Sequence, residues 1–106
     1  DLLLRVDRRV DVYVPNVFTP NDDGTNDWLT VYATEVVEMI AEFEVFDRWG
    51  EKVFSNENFD PNVDELGWDG SFKGEMMMPD VYVYRGRALL FDGTYIDFSG
   101  DVTLIR

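Results

Sequence analysis

The 106-residue sequence contains no cysteine and no histidine. The first absence removes disulfides, thiolate nucleophiles and thiolate zinc sites. It leaves the compartment open, because oxidising surroundings permit disulfides without requiring them. The second removes the imidazole on which the usual catalytic triads depend. Basic residues are scarce: nine Lys and Arg face twenty-two Asp and Glu, a formal net charge of −13. That balance excludes general binding to nucleic acid, which needs a basic footprint, and docking on anionic lipid. No apolar run approaches the roughly eighteen residues of a membrane-spanning helix. The chain starts at Asp1 and shows no leader of its own, so it is expected to be a piece of a longer protein.

What is present is apolar and aromatic: 45% hydrophobic residues and 15% aromatics, enough for one packed core. The length fits a single domain over residues 1–106. Period-two alternation dominates. Val10, Val12 and Val14 oppose Asp11 and Tyr13 in a strand ending at Pro15. Residues 29–33 read as a short strand and 34–38 as a candidate helical turn. Residues 39–46 form a strand with one wet face. Asp47-Arg48-Trp49-Gly50-Glu51 reads as a turn returning into 52–55, followed by a loop over 56–67. Trp68-Asp69-Gly70 is a further turn. A long strand over 81–91 leads into Asp92-Gly93, read as a type I′ hairpin turn. Residues 94–98 return, Gly100 is expected to break the ladder, and alternation resumes to Arg106. Seven or eight strands with turns about every ten residues predict an all-β, Ig-like antiparallel sandwich. Residues 1–13 are read either as part of it or as the tail of an upstream strand or linker.

The run 18–27, FTPNDDGTND, is the densest local signal. Asn and Asp bond the backbone two residues on and Gly supplies positive φ, so the run is a tight loop. Its oxygens also raise calcium. Asn21, Asp23, Gly24 and Asp27 fall on positions three, five, six and nine of an EF-hand-like loop. Position one would be Thr19 and position twelve Thr30, so the terminal ligands, including the bidentate carboxylate, are missing. The loop is therefore read as structural, through Phe18, Pro20, Asn21, Asp23, Gly24, Asn26 and Asp27, with no metal and no cofactor assigned. Calcium at 21–27 is the alternative.

Several motifs occur in a fixed order: Phe18-Thr19-Pro20-Asn21, Asp23-Gly24, Asn26-Asp27, Phe46-Asp47-Arg48-Trp49-Gly50, Val53-Phe54, Trp68-Asp69-Gly70, Tyr82-Val83-Tyr84, and Gly100 to Arg106. In this order and spacing the chain closely resembles the gliding-motility-associated C-terminal domain, the type B sorting domain of type IX secretion, from about Val14 to Arg106. Two positions depart from that pattern. Asp22 stands where Gly is usual, and Pro79-Asp80-Val81-Tyr82 lacks the Gly before the paired tyrosines. The resemblance implies a C-terminal secretion signal that directs an N-terminal cargo, joined in cis, through the type IX outer-membrane translocon of Bacteroidota. It implies export to the cell surface or the medium, and a chain that stops at the native C-terminus. The partners it implies are the translocon and its shuttle proteins.

The residues expected to carry translocon recognition are Gly100, Asp101, Val102, Thr103, Leu104, Ile105 and Arg106. A last strand with a free end and a terminal Arg can be grasped by edge pairing and by its carboxylate. Arg48, Trp49, Gly50, Trp68, Asp69 and Gly70 are read as turn residues. Trp49 and Trp68 are expected to fold back on the core, with Arg48 stacked on the former or paired with a carboxylate. The Met76-Met77-Met78 run places methionines on both faces of an extended segment, as gap filler or adaptable surface. Catalytic residues are not assigned. Carboxylates are plentiful enough for a two-carboxylate glycosidase, but that chemistry needs a deep cleft. The alternative function is a calcium-stabilised or carbohydrate-binding adhesin module.

Overall fold

The computed structural model describes residues 12–21 and 27–105. These contain nine strands: β1 (Val12–Tyr13), β2 (Val17–Phe18), β3 (Tyr32–Ala33), β4 (Val37–Phe46), β5 (Lys52–Phe59), β6 (Ser71–Phe72), β7 (Glu75–Met76), β8 (Asp80–Leu90) and β9 (Tyr95–Leu104). One 3₁₀ turn, Asp64–Leu66, interrupts the loop after β5. The all-β sandwich is as the alternation predicts.

The main sheet has the order β2-β9-β8-β4-β5. Its long strands are antiparallel, whereas β2 joins β9 in parallel. One face is apolar. Ile40, Phe43 and Val45 of β4, Tyr82 and Ala88 of β8, and Val102 and Leu104 of β9 are buried in a single cluster with Val14, Phe18, Leu29, Val31 and Trp68. The elements outside the main sheet complete the second layer. They are the β1–β3 pair, an antiparallel bridge from Leu29 to Trp68, and the β6–β7 hairpin. Val12 is half-buried and packs on the cluster, so this strand belongs to the sandwich; Val10 lies outside the described residues.

The opposite face alternates with the core face and is charged. Glu42 and Glu44 of β4 stand opposite Arg87 and Arg85 of β8, and Arg87 stands opposite Asp97 of β9. Opposite residues on one face interact directly, so this pairing holds three strands in register. Glu44 accepts from Lys52 at 2.9 Å and from Arg85 Nε at 2.8 Å; Arg87 Nε donates to Asp97 at 2.8 Å.

Four local expectations are corrected. Residues 35–36 form a turn and β4 starts at Val37, with no helical turn. β5 runs on to Phe59 through a stretch read as loop. Its polar letters hide the alternation, yet Phe59 pairs with Ile40 and is buried. The Asp92-Gly93 hairpin is not type I′: of that pair only Gly93 has positive φ (90°). Gly93 N donates to Leu90 O (2.9 Å) and Leu90 N to Thr94 O (2.8 Å), which closes a three-residue loop with glycine in the left-handed position. The 47–51 hairpin repeats this pattern, with Gly50 at φ 86°. The type I′ geometry occurs instead at Lys73-Gly74, where both residues have positive φ. Finally, Gly100 does not break β9 but pairs with Tyr84 inside the ladder.

Candidate functional site

β9 carries the residues expected to be recognised. Val102 and Leu104 point into the core and are essentially fully buried; Asp101 and Ile105 are exposed and Thr103 half-buried. Arg106 lies outside the described residues. The backbone edge of this segment is already bonded at residues 103–105, which leaves no edge pairing to offer there. β2 lies alongside it, pairing Val17 with Thr103 and Phe18 with Leu104. Thr103 N donates to Asn16 O (2.9 Å) and Ile105 N to Phe18 O (3.0 Å). A parallel partnership between the two ends of a sequence leaves no mark on local alternation. Gly100 makes room for an aromatic ring, since a Cβ there would sit 2.6 Å from Tyr84 Oη.

Motifs far apart in sequence meet around Leu104. The Phe18 ring packs on Trp68 at 5.4 Å and Trp68 on Tyr82 edge-on at 5.1 Å. Tyr82 stands opposite Val102 in the ladder and its hydroxyl donates to Met78 O (2.7 Å). Trp68 Nε1 donates to Ser71 O (2.8 Å), so the buried indole has its partner. Asp69 Oδ1 accepts from Ser71 N (3.0 Å) and Oγ (2.6 Å) and fixes the turn. Gly70 (φ 87°) backs directly onto Pro20 and Leu104: a Cβ there would lie 2.9 Å from Pro20 Cγ and 3.4 Å from Leu104 Cδ1. The sequence family described as the CHU_C type IX secretion signal domain matches residues 12–97.

The chain belongs to this family. As a type IX secretion signal domain it has a sorting-signal role, contact with the type IX machinery, and export to the cell surface or extracellular space. This is a family of signal domains and not of enzymes. No curated protein sequence matches the chain. The family match stops before Gly100, so the terminal motif lies beyond it, yet Val102 and Leu104 pack into the same cluster as the matched residues Phe18, Trp68 and Tyr82. No helix among the described residues is long and apolar enough to cross a membrane.

The remaining motif residues of the sorting domain fall into two groups. In the 18–27 loop, Asn21 N donates to Thr19 O (2.8 Å) and to Asp27 Oδ1 (3.1 Å); Asp23, Gly24 and Asn26 lie outside the described residues. Among the described residues no three acidic side chains converge as metal ligands. At the 47–51 turn, Asp47 Oδ1 accepts from Trp49 N and Glu51 N, both at 2.9 Å. Trp49 does not fold onto the core: it is 81% exposed. It sits at the tip of a turn whose backbone is bonded across the hairpin, so its side chain has no route inward. Arg48 does both things expected of it. Its guanidinium lies 5.6 Å from the Trp49 ring centroid, and Nη2 donates to Asp80 Oδ1 at 3.1 Å. Of the methionine run, Met77 packs on the core while Met76 and Met78 are exposed.

Sequence reasoning missed the charged outer face. A shallow depression of about 420 Å³ lies on it, lined by Glu42, Arg85, Gly86, Arg87, Asp97, Phe98 and Ser99. Hydrogen bonds from Lys52, then Arg85, hold the Glu44 carboxyl below its ordinary value. The alternation of Glu42 and Glu44 against Arg85 and Arg87 was the available signal. It becomes legible only once the two strands are known to pair.

Proposed function

We propose that the domain acts as a C-terminal sorting signal, read as a folded unit by the outer-membrane translocon of type IX secretion and its shuttle proteins. Its action is recognition, not chemistry. The family match over residues 12–97 carries this reading. The sequence supports it by offering no His or Cys for the usual acid–base and nucleophilic work. The cargo is joined in cis ahead of the domain. The test is a fluorescent reporter fused to residues 1–106: it is expected in the medium when the translocon is intact and in the periplasm when it is not. Periplasmic retention in both strains would refute the sorting role and favour an adhesin module.

Removing residues 102–106 abolishes export on this reading, but it also removes Val102 and Leu104 from the core. The discriminating variants are therefore at outward positions, Thr103 and Ile105, with folding monitored in parallel. No cofactor is assigned. Calorimetric titration with millimolar calcium is expected to give no binding heat; saturable heat would return calcium to the 21–27 loop.

A further inference from the structure

We infer that the translocon surface reading this domain has an apolar centre with a basic rim, and that it docks on the outer sheet face at the Trp49 end. The inference rests on the sorting reading above and adds where and with what chemistry recognition occurs. Edge pairing at residues 103–105 is closed by β2. The face beside that edge is open.

Two cross-strand rows build the surface. One runs Val17, Thr103, Val81, and the next Asp101, Val83, Phe46, Lys52. Directly opposite residues share a face, so Val17, Val81, Val83 and Phe46 lie together on the outer side. Val17, Val81 and Val83 are 40%, 46% and 48% exposed, and no described element covers them. Arg48, beside Trp49 at the hairpin tip, bonds Asp80, which precedes Val81 and stands opposite Leu104, so the exposed indole lies at this end of the sheet, next to the patch and not within its rows. An apolar patch of this kind, set on a face otherwise made of ion pairs, marks an interaction site.

Three further observations fix the occupant. The first is rigidity. Asp47 holds the turn backbone and Arg48 stacks on the indole, so ordering Trp49 at an interface costs little. Trp and Arg are also the residues most enriched at interface hot spots. The second is local charge. Arg48 is paired with Asp80, and Glu44 with Lys52 and Arg85, so covering these strips no lone charge of that set, while Asp101, exposed beside Val83, is an acidic group for a basic rim to meet. The third is the net charge of −13. It steers the domain toward a positive surface and opposes approach of a second copy.

The experiment uses the reporter fused to residues 1–106. Trp49→Ser and the pair Val81→Ser with Val83→Ser test the patch; Phe91→Ser tests another exposed apolar residue, in the 90–94 hairpin and away from the patch. Circular dichroism and thermal midpoints confirm folding, and either patch variant alone decides if the other unfolds. Export is expected to fall at least about tenfold for the patch variants and to stay unchanged for Phe91→Ser. Binding of the wild-type domain to purified translocon is expected to weaken at least about tenfold between about 50 and about 300 mM salt. Wild-type export by the folded patch variants, or salt-independent binding, overturns the inference while leaving the sorting role intact. A wild-type reporter that is never exported overturns the sorting role, and the inference with it. Sedimentation as a dimer that Trp49→Ser dissolves assigns the patch to a second copy and overturns the proposal.

Discussion

Trp68 joins parts of the chain that are far apart in sequence, touching Phe18 on one side and Tyr82 on the other while its indole N–H bonds Ser71. Replacing it by Ala removes a large buried ring and strands the Ser71 carbonyl. A loss of about 3–5 kcal/mol is expected in denaturant unfolding, a large share of the stability of a domain this size. The same substitution at Trp49 removes an exposed ring and should barely move the midpoint. The two tryptophans look alike in the sequence, each beside a turn glycine. What separates them is their backbone partner. Trp68 exchanges hydrogen bonds with Leu29 (2.8 and 2.9 Å), which sets it between the layers, whereas Trp49 caps a hairpin whose bonds lie across the strands. That distinction depends on a contact between residues 29 and 68 that no local pattern announces.

At the scale of strands, the ladder between β8 and β9 depends on a glycine facing an aromatic. Gly100→Ala drives a methyl into the Tyr84 ring and is expected to cost about 1–3 kcal/mol. Combined with Tyr84→Phe, which removes the hydroxyl oxygen nearest to that methyl, the double variant should recover part of the loss. Additive losses in the mutant cycle would refute the close fit. The outer face supplies a pH prediction. The folded Glu44 carboxyl titrates below its unfolded value because Lys52 and Arg85 donate to its charged form. Its contribution is therefore present above the unfolded value of about 4.3 and lost as pH falls through the folded one. Both cations are about half or more exposed, so Glu44→Gln should cost only about 0.5–1 kcal/mol at neutral pH and should flatten the acid limb of the stability curve. Period-two alternation and turn residues made β4, β8 and both long hairpins legible, whereas β9 reads in two pieces split at Gly100. β5 was half-hidden by Asn56, Glu57 and Asn58, because a strand paired on one side tolerates polar letters. The turn at Lys73-Gly74 was missed because lysine is an unusual occupant of positive φ.

At the scale of the molecule, the class of fold followed from spacing, and the family from an ordered set of short motifs. The topology did not. Parallel closure of β2 on β9 joins the two ends of the described chain and covers the edge of β9 at Thr103 and Leu104. It also moves attention from the backbone of residues 100–106 to the side chains that the finished sheet displays.

That closure bears on timing. β9 is the last strand of the described residues, and it fills the slot between β2 and β8. A polypeptide that breaks off during synthesis before Tyr95 keeps the β8-β4-β5 sheet but cannot attach β2, since β2 and β8 meet only through the missing strand. The rows that carry Val17 beside Val81 then never assemble. On the docking face proposed above, an address written this way is legible only once β9 has been made and seated, so a domain cut short before it is silent.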